Sequence, residues 1–290
     1  SPASPGEHRS STEWPFQRFS WTDHRVNTGD TVRYRVTPVV SDGDGGLELD
    51  QDRQSDWSNW LTLSGDAGGG FSLYFNRRLI IAHFMSRYIK GLQEKNGWTF
   101  TKALAEFKKQ IKIHEEPIRT FLAGELRLAV LNLLDEAIQS NGHVYAALFE
   151  LSDPDVLDKL VTLGARAHIV LADGSVEKLG DDENEDARKT LNKAGVEVFD
   201  RMTCKKKGGP LAHNKFIVMC DGMQEAQVIL SGSTNLTPTG FCTQINNAFV
   251  IRDSDLATIY LEQWKKLANA KDKYPSTLVR ANSIPTDSGG

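Results

Sequence analysis

The sequence predicts an α/β fold, a mixed β-sheet flanked by helices, preceded by a partial β segment and a helical stretch. Three observations predict it. From about Phe121 to Ala270, short apolar runs alternate with segments whose apolar residues recur every three or four positions. One run, Ala167 to Ala172, is nearly continuous, as expected of a strand covered on both faces. The first third instead alternates apolar and polar residues between Gly- and Asp-rich breaks. The expected divisions are 1–70, a β-rich and partly sandwich-like segment; 71–120, a helical connector; 121–275, the α/β domain; and 276–290, a tail.

In chain order, Thr31 to Val39 alternates as a half-buried strand, and Trp57 to Leu63 reads as another. Breaks at Ser41–Gly46 and Ser64–Gly70 follow them. This strand–turn–strand order, with a Tyr and a Pro in the first strand, resembles the later strands of a fibronectin-type sandwich, although it is too short for a whole one. Ile81, Phe84, Met85, Tyr88, Ile89 and Leu92 form one helical stripe, and Leu104, Phe107 and Ile111 a second, which Pro117 is expected to break. Leu126 to Ile138 gives a further helix and His143 to Phe149 a strand. Asp153-Pro154 opens a helix through Leu163, with Asp153 as N-cap and Pro154 in the first turn. The acid-led segment Asp182 to Ala194 suits the helix dipole and reads as a helix start rather than a metal site. Strands are expected at Val196–Phe199, Phe216–Met219, Gln227–Leu230 and Asn247–Ile251, with a last helix after Ser254.

Composition narrows the function classes. The 290 residues carry a net charge of −4, which argues against a protein that coats nucleic acid through its whole surface. No apolar run reaches the length of a membrane span, and Ser1 to Thr12 lacks the apolar core of a signal peptide. The three cysteines, Cys204, Cys220 and Cys242, lack metal-ligand spacing and read as reduced thiols of a cytoplasmic protein.

Two stretches carry chemistry. In Leu211-Ala-His-Asn-Lys-Phe-Ile-Val-Met, His213 and Lys215 stand two apart at the head of a strand, and a strand that begins there points both side chains to one face. In Leu230-Ser-Gly-Ser-Thr-Asn-Leu-Thr, Ser233 and Asn235 stand two apart at a strand end. A neutral imidazole can attack phosphorus, an ammonium can offset charge on non-bridging oxygens, and a hydroxyl and a carboxamide can bond the charge that develops. No carboxylate cluster suited to magnesium stands near these motifs, so no metal and no other cofactor is expected. Lys205, Lys206 and Lys207 precede the motif in a stretch without acids, fitted either to guide a polyanion or simply to be solvated. Glu150, at the end of a strand, reads as structural, with a place facing the cleft as the alternative.

His213-Asn-Lys215 followed by Gly232-Ser-Thr-Asn235 resembles the HxK and GSxN signature of the phospholipase D superfamily. The resemblance covers roughly half the chain, and it marks 121–275 as a phospholipase D-like catalytic domain. It implies a hydrolase of phosphodiester bonds in which His213 becomes phosphohistidine and Lys215 and Asn235 bind phosphate. The sequence departs from the pattern twice. Cys220 occupies the usual Asp position, with Asp221 one residue later, and Gln244-Ile-Asn246 stands where the family has Asn-x-Glu, so amides replace an acid.

One motif is half a site. An in-line displacement needs an attacking group on one side of phosphorus and a proton donor on the other. No second His-x-Lys occurs among the 290 residues. A two-fold homodimer sharing its site is the expectation, with a second half beyond Gly290 as the alternative. DNA is the expected substrate, because the basic stretch favours a polyanion and the sequence offers no clear apolar rim for lipid. The alternatives are a phospholipase or phosphatidyltransferase, and an inactive phosphate-binding module.

Overall fold

The computed structural model describes residues 10–16, 23, 26, 29–76, 78–175, 181–203 and 210–281, and the side chains of 78–84 and of 281 are not among what it describes. The chain divides into two compact units, Ser1–Ser64 and Gly65–Gly290. In the first, β1 (Thr31–Val32) pairs antiparallel with β4 (Leu61–Thr62), and β2 (Val39–Ser41) with β3 (Leu47–Leu49). The expected strands Thr31–Val39 and Trp57–Leu63 are therefore regular only at their ends. Between these ends serine hydroxyls replace rungs of the ladder: Ser58 Oγ accepts from Tyr34 N and Ser55 Oγ accepts from Val36 N, each at 2.9 Å. The alternation holds only as far as Arg35: Val32 and Tyr34 are half-buried and the Arg33 and Arg35 guanidiniums lie over Trp57, that of Arg33 over Trp60 too, but Val36 is 69% exposed.

The second unit is built on an eight-stranded sheet in the order β5-β6-β12-β11-β10-β7-β8-β9. Its strands are β5 (Asp66–Gly68), β6 (Phe71–Phe75), β7 (His143–Leu148), β8 (Ala167–Ala172), β9 (Glu197–Arg201), β10 (Lys215–Cys220), β11 (Ala226–Gly232) and β12 (Asn247–Ile251). The strands β7, β8 and β9 run parallel, and every other neighbouring pair is antiparallel. Strand β6 falls in the stretch read as a helical connector. It pairs with β12 along its whole length and extends the sheet by a hairpin with β5.

The helices are α1 (Arg78–Asn96), α2 (Phe100–Gln110), α3 (Pro117–Gln139), α4 (Pro154–Leu163), α5 (Glu185–Lys193), α6 (Pro238–Cys242), α7 (Ser254–Ala270) and α8 (Ser276–Ala281). Pro117 opens α3 rather than breaking α2, which has already ended at Gln110. A proline lacks the N–H that a first helical residue would leave unpaired in any case. Of the first predicted stripe, Ile81 and Phe84 lie outside the described side chains, whereas Ile89 is buried.

Strand periodicity sorts the core into two layers. Val144, Ala146, Leu148, Ile169, Leu171, Ile217 and Leu230 pack with α3, α4 and α6 on one face. Tyr145, Ala147, Val170, Phe216, Val218 and Ile229 pack with α7 on the other. There Trp264 Nε1 donates to Ala146 O at 2.9 Å, so its one polar atom is paired inside the core.

Between α3 and α4 lies a buried ion network. Arg119 donates to both oxygens of Asp153 at 2.8 and 2.7 Å, and both residues are almost wholly buried. Asp155 takes Arg119 at 2.6 Å and also pairs with Arg127 and His114. Asp153 caps α4 as its spacing predicts, accepting from Asp155 N and Val156 N.

Candidate active site

The site gathers at one end of the sheet because β10 runs antiparallel to both its neighbours. Lys215 begins β10 in register with Leu148 near the end of β7, and Phe216 pairs with Ser231 near the end of β11. The start of β10 therefore meets the ends of β7 and β11. Continuing the β7–β10 register by two residues sets His213 opposite Glu150.

His213 is exposed, and its ring meets Phe149 edge-on with centroids 4.5 Å apart. Lys215 Nζ donates to His213 O at 3.3 Å and lies 4.9 Å from the centre of the same Phe149 ring. One phenyl group thus holds both residues of the motif. Partial desolvation of its ring, and after it the Lys215 ammonium, hold the His213 imidazole below its usual value, while Glu150 pulls it up. At neutral pH the ring is mainly neutral and able to attack. Burial pushes Lys215 down to about 8, again against the pull of Glu150.

Gly232 ends β11 with φ of +154°, and a Cβ there would lie 2.4 Å from Asn247 O. Only glycine lets the chain pass β12 at this distance, which aims the following residues into the site. Ser233 Oγ donates to Asn246 Oδ1 at 3.0 Å and accepts from Asn247 N at 3.0 Å. Asn235 is buried, and its Nδ2 donates to Glu150 Oε2 at 2.8 Å. The second Glu150 oxygen accepts from Ser175 Oγ at 2.8 Å.

Gln244 and Asn246 meet the GSxN side of the site. Asn246 is buried, donates to Gly240 O at 2.8 Å and to Gln244 Oε1 at 3.3 Å, and accepts from Ser233. Lys205, Lys206 and Lys207 lie outside the described residues, as does Cys204. Cys220 and Cys242 are buried free thiols, each pushed up to about 12 by burial. Asp221, beside the position where the family has its Asp, holds the β10–β11 turn by accepting from Met223 N and Glu225 N. Among the described residues no three His, Cys, Asp or Glu side chains gather as a metal-ligand set.

Four residues outside the motifs shape the site. Phe149 and Glu150 follow directly on β7. Asn184 braces that end, donating to Phe149 O at 2.8 Å and to Ala172 O at 2.9 Å, and accepting from Leu151 N at 2.9 Å. Asn76, just past β6, donates to Phe241 O at 2.9 Å and to Gln244 O at 2.5 Å, and accepts from Asn246 N at 3.3 Å. It locks the turn that carries Gln244 and Asn246. The one sequence signal for Glu150 was a lone charge ending an apolar strand.

Residues 131–268 match the family described as cardiolipin synthase, PLD-like domain. This segment holds both motifs, and the match supports a phospholipase D-like domain; members of that superfamily are phosphodiester-cleaving hydrolases. Among curated proteins none matches the chain. Solved structures similar to it include Nuc of Salmonella typhimurium, a phospholipase D family member, at 23% identity over 51% of this chain and 90% of that one, with a TM-score of 0.40. NucT of Helicobacter pylori shares 16% identity over 52% of this chain and 93% of its own, with a TM-score of 0.39. A polyphosphate kinase of Porphyromonas gingivalis shares 14% over 53% of this chain and 27% of its own, with a TM-score of 0.38. Among the described residues no helix is long and apolar enough to cross a membrane.

Proposed function

We propose that the chain is a metal-independent phosphodiesterase acting on DNA in the cytoplasm. The observation that carries the phosphodiesterase reading is the His213–Lys215 pair, a mainly neutral imidazole beside a half-buried ammonium, both set against Phe149. In the reaction a neutral ring nitrogen of His213 attacks phosphorus. The bond to the leaving oxygen breaks, and that oxygen takes a proton from an imidazolium on the opposite side. Water then cleaves the phosphohistidine and returns a proton to the second imidazole, so that a diester and water give a monoester and an alcohol. Lys215, Ser233 and Asn235 hold the non-bridging oxygens. A second copy of the chain supplies the opposing His213 across a two-fold axis. DNA is favoured by Lys205, Lys206 and Lys207 ahead of the motif.

A phospholipid substrate is the second reading. Ile245 and Phe75 are each 58% exposed and Leu211 is 44% exposed. They stand beside Asn246, opposite Asn247 and two residues before His213, an apolar margin that composition did not reveal. One experiment separates the readings. The protein is incubated in EDTA with DNA and with phospholipid vesicles, beside a His213→Ala control. DNA cleavage that survives EDTA and falls at least about 10⁴-fold in the control is the expected result. Loss of cleavage in EDTA overturns the metal-free mechanism, and turnover of vesicles alone gives the site to lipid. No turnover of either substrate leaves a phosphate-binding module.

A further inference from the structure

Glu150 is the carboxylate whose charge acts on both residues of the catalytic pair. Its two oxygens are each held by a neutral donor, Ser175 Oγ and Asn235 Nδ2, both at 2.8 Å. Neutral donors fix a carboxylate in place without cancelling its charge. The Asn235 bond orients that amide, whose Oδ1 finds no partner among the described residues, so Glu150 alone sets which way the carboxamide faces. The segment after GSxN offers no acid, since Asn246 stands there and spends its amide on Gly240 O, Gln244 and Ser233.

We propose that Glu150 is a positioning residue of this site, orienting Asn235 and setting the charge balance of His213 and Lys215 from the β7 side of the cleft. The proposal deepens the phosphodiesterase reading and rests on it. Charge balance matters because His213 must lose its proton while Lys215, close beside it, keeps one. A fixed negative charge opposite both raises the proton affinity of each and keeps Lys215 cationic at neutral pH. Among the described residues Glu183 lies near this carboxylate, its Oε2 accepting from Ser175 N at 3.0 Å, and Asp173, just past β8, accepts at its backbone O from Glu183 N. Lys205, Lys206 and Lys207 lie outside the described residues.

The test is Glu150→Gln, which keeps the shape and removes the charge, with Glu150→Asp as the charge-retaining control. The His213 ring is titrated by NMR and assigned with His213→Ala. The phosphodiesterase pH profile is measured in parallel. His213 is expected to titrate about 0.5–1 unit lower in Glu150→Gln. Both limbs of the profile are expected to move toward acid, and Glu150→Asp is expected to follow the parent. If Glu150→Gln melts like the parent and loses activity with neither titration nor profile moved, Glu150 is a structural brace and the proposal fails. Glu150→Ala carries the same reading if the amide is not tolerated in the fold. A parent protein without turnover whose His213 still shifts upholds the charge coupling and sinks the phosphodiesterase reading instead.

Discussion

At the scale of the residue, Lys215 works where a cation is least stable. Its proton is held less tightly in the fold than in the open chain, being pushed by burial from 10.5 to about 8. Below about pH 8 the folded state bears the full penalty of a desolvated charge. Between about 8 and 10.5 the unfolded chain binds more protons than the folded one, so stability rises with pH. Lys215→Met is expected to raise the melting temperature near neutrality by about 2 °C and to flatten that rise. It should also cut turnover about 10²–10³-fold through loss of the phosphate contact. Thermal melts across pH, set beside activity, check all three outcomes. His213, Lys215, Ser233 and Asn235 were legible as two short motifs flanking strands, although His213 precedes β10 and Ser233 and Asn235 follow β11, outside strand periodicity. Glu150 was not, because its bond to Asn235 spans 85 residues and depends on how three strands are ordered.

At the scale of the element, the long-period pattern from Leu126 onward located β7, β8, β10, β11 and β12 and helices α4, α5 and α7 to within a few residues, but caught only the C-terminal part of α3, which begins at Pro117. Strand β6 escaped because it is five residues long, lies between a Gly-rich break and a helix, and gains its order from pairing with β12, 172 positions away at Phe75 and Asn247. In Thr31–Val39 the alternation lapses at the exposed Val36, and two backbone donors, Tyr34 N and Val36 N, turn to the hydroxyls of Ser58 and Ser55, which no pattern of hydrophobicity records. What β6 contributes to the site is Asn76. Asn76→Ala removes three hydrogen bonds from the Phe241–Asn246 turn and takes its donor from the buried Phe241 carbonyl. It is expected to destabilise the fold by about 1–3 kcal/mol. The Asn246 and Asn247 amides should then exchange faster with deuterium, more than those of β7, as hydrogen exchange resolved by strand would show.

At the scale of the whole molecule, the family match begins at residue 131, whereas the compact unit begins at Gly65. The difference is physical. Strands β5 and β6 complete the sheet beside β12, and the buried Phe107 of α2 belongs to the same core as α3. A fragment beginning at Gly65 is expected to melt cooperatively, near the temperature of the full chain. One beginning at Phe121 would leave β12 as an open edge and lose Asn76, Phe107 and Ile111 from buried positions. It is expected to melt at least about 5 °C lower or to aggregate, which calorimetry and light scattering would show.

The two buried thiols give this architecture an internal clock. Cys220 ends β10 between β7 and β11, on the face covered by α7, and Cys242 ends α6, with its Sγ at 3.7 Å from Arg119 O. A thiol held near 12 reacts with an alkylating reagent only after the structure around it opens. Labelling of Cys220 therefore times the opening of the sheet, whereas labelling of Cys242 times the loosening of the segment that frames the site. The ratio of the two rates tells whether the site breathes by itself or only with the whole domain.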